Sequence, residues 1–165
     1  MIDNKSERYM RVEAQVRGVV SGCRDVVANM ANAAALIRAE FGFWWVGFYR
    51  VVPKDSGGED LLLGPFQGPV ACVRIGRGHG VCGTAWAEGR TVVVPDVEQF
   101  PGHIACSAES RSELVVPLFS DGRVVAVLDI DSCSLNGFDD VDARRLEAIA
   151  ALVAEGSDFS RCQPS

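Results

Sequence analysis

The sequence predicts an α+β fold of about six strands with helices at both ends. Three observations carry this. Apolar residues recur at steps of three and four near both ends of the chain, as an amphipathic helix requires. Between them lie short aromatic and β-branched runs separated by glycine, proline and aspartate, the signature of strands and turns. Several of these runs are apolar on both faces, so helices should cover much of the sheet.

Residues 7–40 form the first helical region, with Val12, Val16, Val19, Val20, Cys23, Val26, Val27 and Met30 as its stripe. It is one helix, or two broken near Ser21-Gly22, and residues 1–40 make up an N-terminal helical segment. Phe43 to Val52 reads as a strand closed by Pro53-Lys54-Asp55-Ser56-Gly57-Gly58. Leu61–Phe66 and Ala71–Ile75 are further strands. A short helix follows Gly80-Val81-Cys82-Gly83 and runs to Glu88, with Gly89 as its stop.

Thr91–Val94 is a short strand, and Glu113–Phe119 and Arg123–Ile130 form a hairpin across Ser120-Asp121-Gly122. From Asp139 to about Asp158 the helical period returns through Val141, Leu146, Ile149, Ala150 and Val153. Residues 96–112 are a long connection with no element of their own, and such loops tend to be functional. The 165 residues fit one domain, 1–165, with the sheet and its loops over 43–132 and the last helix over 139–158.

Composition narrows the partners. The chain is 48% hydrophobic and 23% charged, with a net charge of −6 and no basic cluster, which argues against nucleic acid and anionic membranes. No run of eighteen apolar residues occurs, and the N-terminus has no apolar core of a signal peptide. A reducing cytoplasm is the expected compartment. There, six cysteines point to free, catalytic or metal-binding thiols rather than structural disulfides.

Cys106 lies in the long loop, where a thiol is either a nucleophile on a rigid scaffold or a small buried hydrophobe. Cys82 precedes a predicted helix, whose dipole favours thiolate. Cys72 sits at a predicted strand start, and Cys23 on the first helix's apolar stripe reads as core. Cys133 and Cys162 have no supporting constellation.

The strand Val124–Asp131 alternates so that Asp129 and Asp131 share a face, roughly 7 Å apart. Two such carboxylates on an apolar strand call for a cationic ligand, a metal or solvent. They also raise one another's pKa, the property of a general acid. Glu113 joins them only if the hairpin carries a one-residue bulge, since a strict two-residue turn pairs Glu113 with Ile130. Gly122 and Pro117 are residues that bulges favour, so a bulge is predicted. Trp45 and Tyr49 share one face of the first strand, opposite Trp44, Val46 and Phe48. An aromatic wall beside carboxylates suits an ammonium or a thioether. His79, Cys82, His103, Cys106 and Cys72 match no common zinc spacing, so no metal is expected.

On these residues the sequence resembles the free methionine-(R)-sulfoxide reductases, enzymes built on a GAF domain. The matching stretches are Trp45–Tyr49 (WVGFY), Gly64–Cys72 (GPFQGPVAC), Gly78–Thr84 (GHGVCGT), Gly102–Cys106 (GHIAC), Ser112–Leu118 (SELVVPL) and Val127–Ser132 (VLDIDS). The resemblance implies a GAF-like, roughly six-stranded antiparallel sheet flanked by N- and C-terminal helices. It implies reduction of free methionine-(R)-sulfoxide with Cys106 as nucleophile and Cys72 as resolving thiol, Cys82 being a rival for either role.

The same resemblance implies substrate binding by Glu113, Asp129, Asp131, Trp45 and Tyr49. It implies recycling by thioredoxin or a similar dithiol, no cofactor, and by analogy a homodimer. One tension follows from the residues themselves: acids that hold an ammonium also make a neighbouring thiol less nucleophilic, unless His103 or Arg111 offsets them. The competing expectations are a non-catalytic GAF ligand or redox sensor and a zinc-binding interaction module.

Overall fold

A computed structural model describes residues 4–104 and 108–162. The first helical region is two helices, α1 (Lys5–Ser21) and α2 (Val26–Phe41). The chain leaves α1 at Gly22 and restarts at Asp25, whose side chain accepts from the Ala28 N–H. Cys23 therefore falls in the link, half-buried, and not on a helical stripe. The apolar spacing runs across this break without reporting it.

Then follow β1 (Trp45–Pro53), β2 (Glu59–Gln67), β3 (Arg74–Ile75), α3 (Gly80–Glu88), β4 (Val92–Val94), β5 (Ser112–Ser120), β6 (Arg123–Ser132) and α4 (Asp140–Gly156). Gly89 ends α3 in the left-handed region, as its place in the sequence predicts. Among its described residues the long connection holds one short 3-10 turn, Val97–Gln99. β3 is shorter than predicted, so Cys72 lies in the loop ahead of it and not at a strand start.

The strands form one antiparallel sheet in the order β3-β2-β1-β6-β5-β4. One face carries Val46, Phe48, Leu114, Val116, Leu128 and Ile130 into a core closed by α1, α2 and α4. Tyr9, buried on α1, donates its hydroxyl to Asp142 Oδ1 of α4 at 2.7 Å, and Lys5 Nζ reaches Asp139 and Asp142 at 2.8 Å each. Asp139 and Asp142 also form a capping box, so the α1–α4 contact and the start of α4 share the same carboxylates.

The other face carries Trp45, Tyr49, Val115 and Val127 under α3, with Val81, Cys82, Ala85 and Trp86 packed down on them. Trp44 joins this side and not the helical one, because it precedes the ladder and is not bound by its alternation. Among the described residues no helix is long and apolar enough to cross a membrane.

The predicted bulge is present. Ser120 pairs with Arg123 and Phe119 with Val124, but Leu118 pairs with Ala126, leaving Val125 unopposed. The extra residue is thus Val125, at neither Gly122 nor Pro117. It shifts the ladder by one, and Glu113 faces Asp131.

Candidate active site

Three neighbouring strands build the floor of a pocket by register alone. Trp45 pairs with Asp131, and Asp131 with Glu113, so these side chains form one row across β1, β6 and β5. In the next row Gly47 pairs with Asp129, and Asp129 with Val115; beyond it Tyr49 pairs with Val127. Alternation places all of them on the α3 side of the sheet. The pocket is closed by Val81 and Cys82 of α3, by residues 69–71, and by His103, Ile104 and Ser110 of the long connection.

Glycine makes room for the aromatics. Gly47 lies between Trp45 and Tyr49 in sequence, and a Cβ there would run into the Trp45 indole and the Phe66 side chain. Gly68, at φ +140°, likewise lies against the Trp45 ring in a conformation that favours glycine. The indole stacks on Phe66 at 5.3 Å between centroids and lies 6.0 Å from the Tyr49 ring. Both polar ends are used. Trp45 Nε1 donates to the Pro69 carbonyl and the Tyr49 hydroxyl to the Cys72 carbonyl, each at 3.0 Å. The aromatic wall therefore also holds the segment that carries Cys72.

The carboxyl groups are dry. Glu113 and Asp129 are 6% and 7% exposed. Burial, with the nearby Asp131 charge, pushes Glu113 up to about 8, well above its ordinary 4.5. Burial and Glu113 raise Asp129, and burial and Asp129 raise Asp131, against a lowering hydrogen bond from Ser110. That bond, from Ser110 Oγ to Asp131 Oδ1, is 2.6 Å long. Asp129 hydrogen-bonds with Glu113 and Cys82, while its Oδ1 is buried with no partner among the described residues. His103 Nε2 lies 3.5 Å from Glu113 Oε2, and burial lowers the His103 pKa, so the imidazole is neutral near pH 7 and offsets no negative charge.

The cysteines separate. Cys82 is buried within α3, and burial, followed by the Asp129 and Glu113 charges, raises its thiol. The thiolate expected from the helix terminus is thus reversed, because desolvation and two carboxylates outweigh a helix dipole. Cys72 is disulfide-bonded and half-buried, and its partner is none of the free thiols among the described residues, Cys23, Cys82 and Cys133. Cys106 lies outside the described residues.

The structure brings Trp45, Tyr49, Cys82, Glu113, Asp129 and Asp131 to one pocket. Ser110 was missed from sequence, since nothing in its loop marks it out as a partner of Asp131. The shared roles of Trp45 and Tyr49 as loop anchors were also not legible, though the adjacent motif Gly68-Pro69 was the available signal.

A GAF domain family model matches residues 23–156. "GAF domain-containing protein A" of Dictyostelium discoideum is 48% identical over 91% of this chain and 92% of its own length. The "Free methionine-R-sulfoxide reductase" of Saccharomyces cerevisiae is 43% identical over 94% of this chain and 89% of its own. Among solved structures, the free methionine-R-sulfoxide reductase from Neisseria meningitidis, in complex with its substrate, superposes with a TM-score of 0.90. It is 51% identical and covers 98% of this chain and 95% of the other.

Proposed function

Because the chain belongs to the free methionine-R-sulfoxide reductase family of GAF-domain oxidoreductases, we propose that it reduces free methionine-(R)-sulfoxide to methionine at this pocket. The observation that supports it most is the row Trp45–Asp131–Glu113 with Asp129 beside it: buried carboxyl groups next to stacked aromatics. An ammonium is the cation that carboxylates attract, and a thioether or sulfoxide methyl packs well on an indole.

In the proposed reaction the Cys106 thiolate attacks the sulfoxide sulfur. The sulfoxide oxygen takes a proton from Glu113 and passes to Cys106 Sγ as the transient sulfur–sulfur bond breaks, so the sulfoxide is reduced by two electrons to methionine and Cys106 is oxidised to a sulfenic acid. Glu113 suits the acid because it retains its proton up to about pH 8 and touches His103, three positions before Cys106. The Cys72 thiol then displaces water from the sulfenic acid to form a disulfide, and thioredoxin or a similar dithiol restores both thiols by exchange. Asp129 and Asp131 take the substrate ammonium. The proton held by Glu113 also lessens the conflict between acids and thiolate, since a neutral carboxyl group does not repel a thiolate.

The test is a comparison of substrates. Free R sulfoxide is expected to turn over at least about 100-fold faster than free S sulfoxide or a peptide-bound residue, because the buried acids require a free ammonium. Equal turnover of the peptide-bound form would overturn the reading. Tyr49→Phe removes the hydrogen bond to the Cys72 carbonyl, worth about 1 kcal/mol. It is expected to slow disulfide formation by roughly 5-fold, so that a dimedone-type probe traps more sulfenic acid during turnover. Unchanged trapping would remove the anchoring role.

A further inference from the structure

Cys82, Glu113 and Asp129 each offer a ligand atom, and the three atoms lie within 4.8 Å of one another. They come from α3, β5 and β6, so the cluster is held by a helix and two paired strands and not by mobile loops. Around a tetrahedral zinc, ligand atoms at about 2.0–2.3 Å from the ion stand roughly 3.3–3.8 Å apart. Closing the cluster on an ion thus takes side-chain shifts of about 1 Å.

A second observation points to a cation. Asp129 Oδ1 is buried, lines the pocket and has no hydrogen-bond partner among the described residues. A buried acceptor without a donor is unfavourable, and a positive charge relieves it. A fourth donor stands next to the cluster, since His103 Nε2 is 3.5 Å from Glu113 Oε2. One sulfur, one imidazole and two carboxylates favour zinc-class ions over magnesium or calcium.

We propose that the pocket floor is an inhibitory site for a zinc-class divalent cation, held by Cys82, Glu113 and Asp129 with His103 as fourth ligand, and occupied in competition with the amino-acid ligand. Binding replaces the protons on the thiol and the carboxyl groups by the metal, with no change of oxidation state. The competition rests on the reading of the pocket as an amino-acid site, because Asp129 and Glu113 belong to both. Sequence spacing could not show this site: its ligands meet through strand register and the packing of α3.

The experiment uses the full chain with its Cys72 disulfide intact, titrated with Co²⁺ in the absence of reductant. One Co²⁺ per chain is expected, with the visible absorption of a four-coordinate ion and a thiolate-to-metal charge-transfer band. Zn²⁺ should displace it. In Cys82→Ser the charge-transfer band should disappear and affinity fall at least about 10-fold. Saturating free methionine should weaken Co²⁺ binding by a similar factor.

A band that persists in Cys82→Ser, or binding without any thiolate band, would overturn the site. If Cys82→Ser fails to fold by circular dichroism, Asp129→Asn must show the same 10-fold weakening or the site is refuted. Turnover of the metal-free enzyme separates the two ideas. An active enzyme whose Co²⁺ affinity ignores methionine refutes the competition alone. An inactive chain whose Co²⁺ band still depends on Cys82 upholds the site and refutes the reductase reading.

Discussion

A Cys106→Ser chain is expected to reduce no measurable methionine sulfoxide, a loss on the order of 10⁴-fold or more. Serine keeps the size of the side chain but supplies neither a thiolate nor a sulfur that can carry the oxygen away. The other thiols are poor substitutes. Cys82 is buried under α3 with its thiol raised by desolvation and by Asp129, and Cys72 is not among the residues that line the pocket. Cys72→Ser should behave differently. With thioredoxin as reductant it should release about one methionine per chain and stop, its sulfenic acid open to a dimedone-type probe. Single-turnover methionine release followed by mass spectrometry reads both variants. Full turnover by Cys106→Ser would remove it as the nucleophile. Repeated turnover by Cys72→Ser at the wild-type rate would remove the resolving role.

Glu113→Gln should separate activity from stability. Its carboxyl group is held at about 8 against an ordinary 4.5, so the folded state keeps a proton that the unfolded chain has released. Between these values the unfolded state binds fewer protons, and stability falls as pH rises from about 4.5 through about 8. Glutamine keeps the shape and removes that proton linkage. The variant should be more stable than the parent by on the order of 2–4 kcal/mol at pH 8, with little difference below pH 4.5. Turnover near neutral pH should meanwhile fall by about 10²- to 10⁴-fold, since an amide has no acidic proton for the sulfoxide oxygen. The parent's own rate should decline as pH rises through about 8, where Glu113 loses its proton. Urea unfolding at pH 4.5 and pH 8, with the pH profile of kcat, checks both halves. A variant less stable than the parent at pH 8 would contradict the burial argument. An unchanged kcat would move the acid role to Asp129 or Asp131.

Local chemistry made most of this fold legible from sequence. The change of apolar period from four to two located the sheet, and Gly89 and Asp139 marked helix ends because caps act within a few residues. The bulge is legible for the same reason: the hairpin turn and the alternation of Asp129 and Asp131 together require an odd residue if Glu113 is to face Asp131. Failures arose where tertiary packing decides. Cys23 fits a helical stripe whose helix has ended. Trp44 has no ladder to set its side. Cys82 looks like a helix-terminal thiol, yet the carboxylates pressed against it come from strands some thirty and fifty residues away. No window of sequence contains that encounter. The same holds for Ser110 on Asp131 and for Tyr49 on the Cys72 carbonyl.

The unopposed Val125 also bears on how chains of this kind can vary in length. A sequence lacking that one residue would close the β5–β6 hairpin as a regular ladder, with Leu118 still beside Ala126 and Glu113 still beside Asp131. The hairpin's distal end can therefore gain or lose a residue without re-aiming a single pocket side chain. Counting from the turn to align two relatives would misplace Asp129 and Asp131 by one. Counting from the acids would align them, and would leave the gap where the backbone already tolerates it.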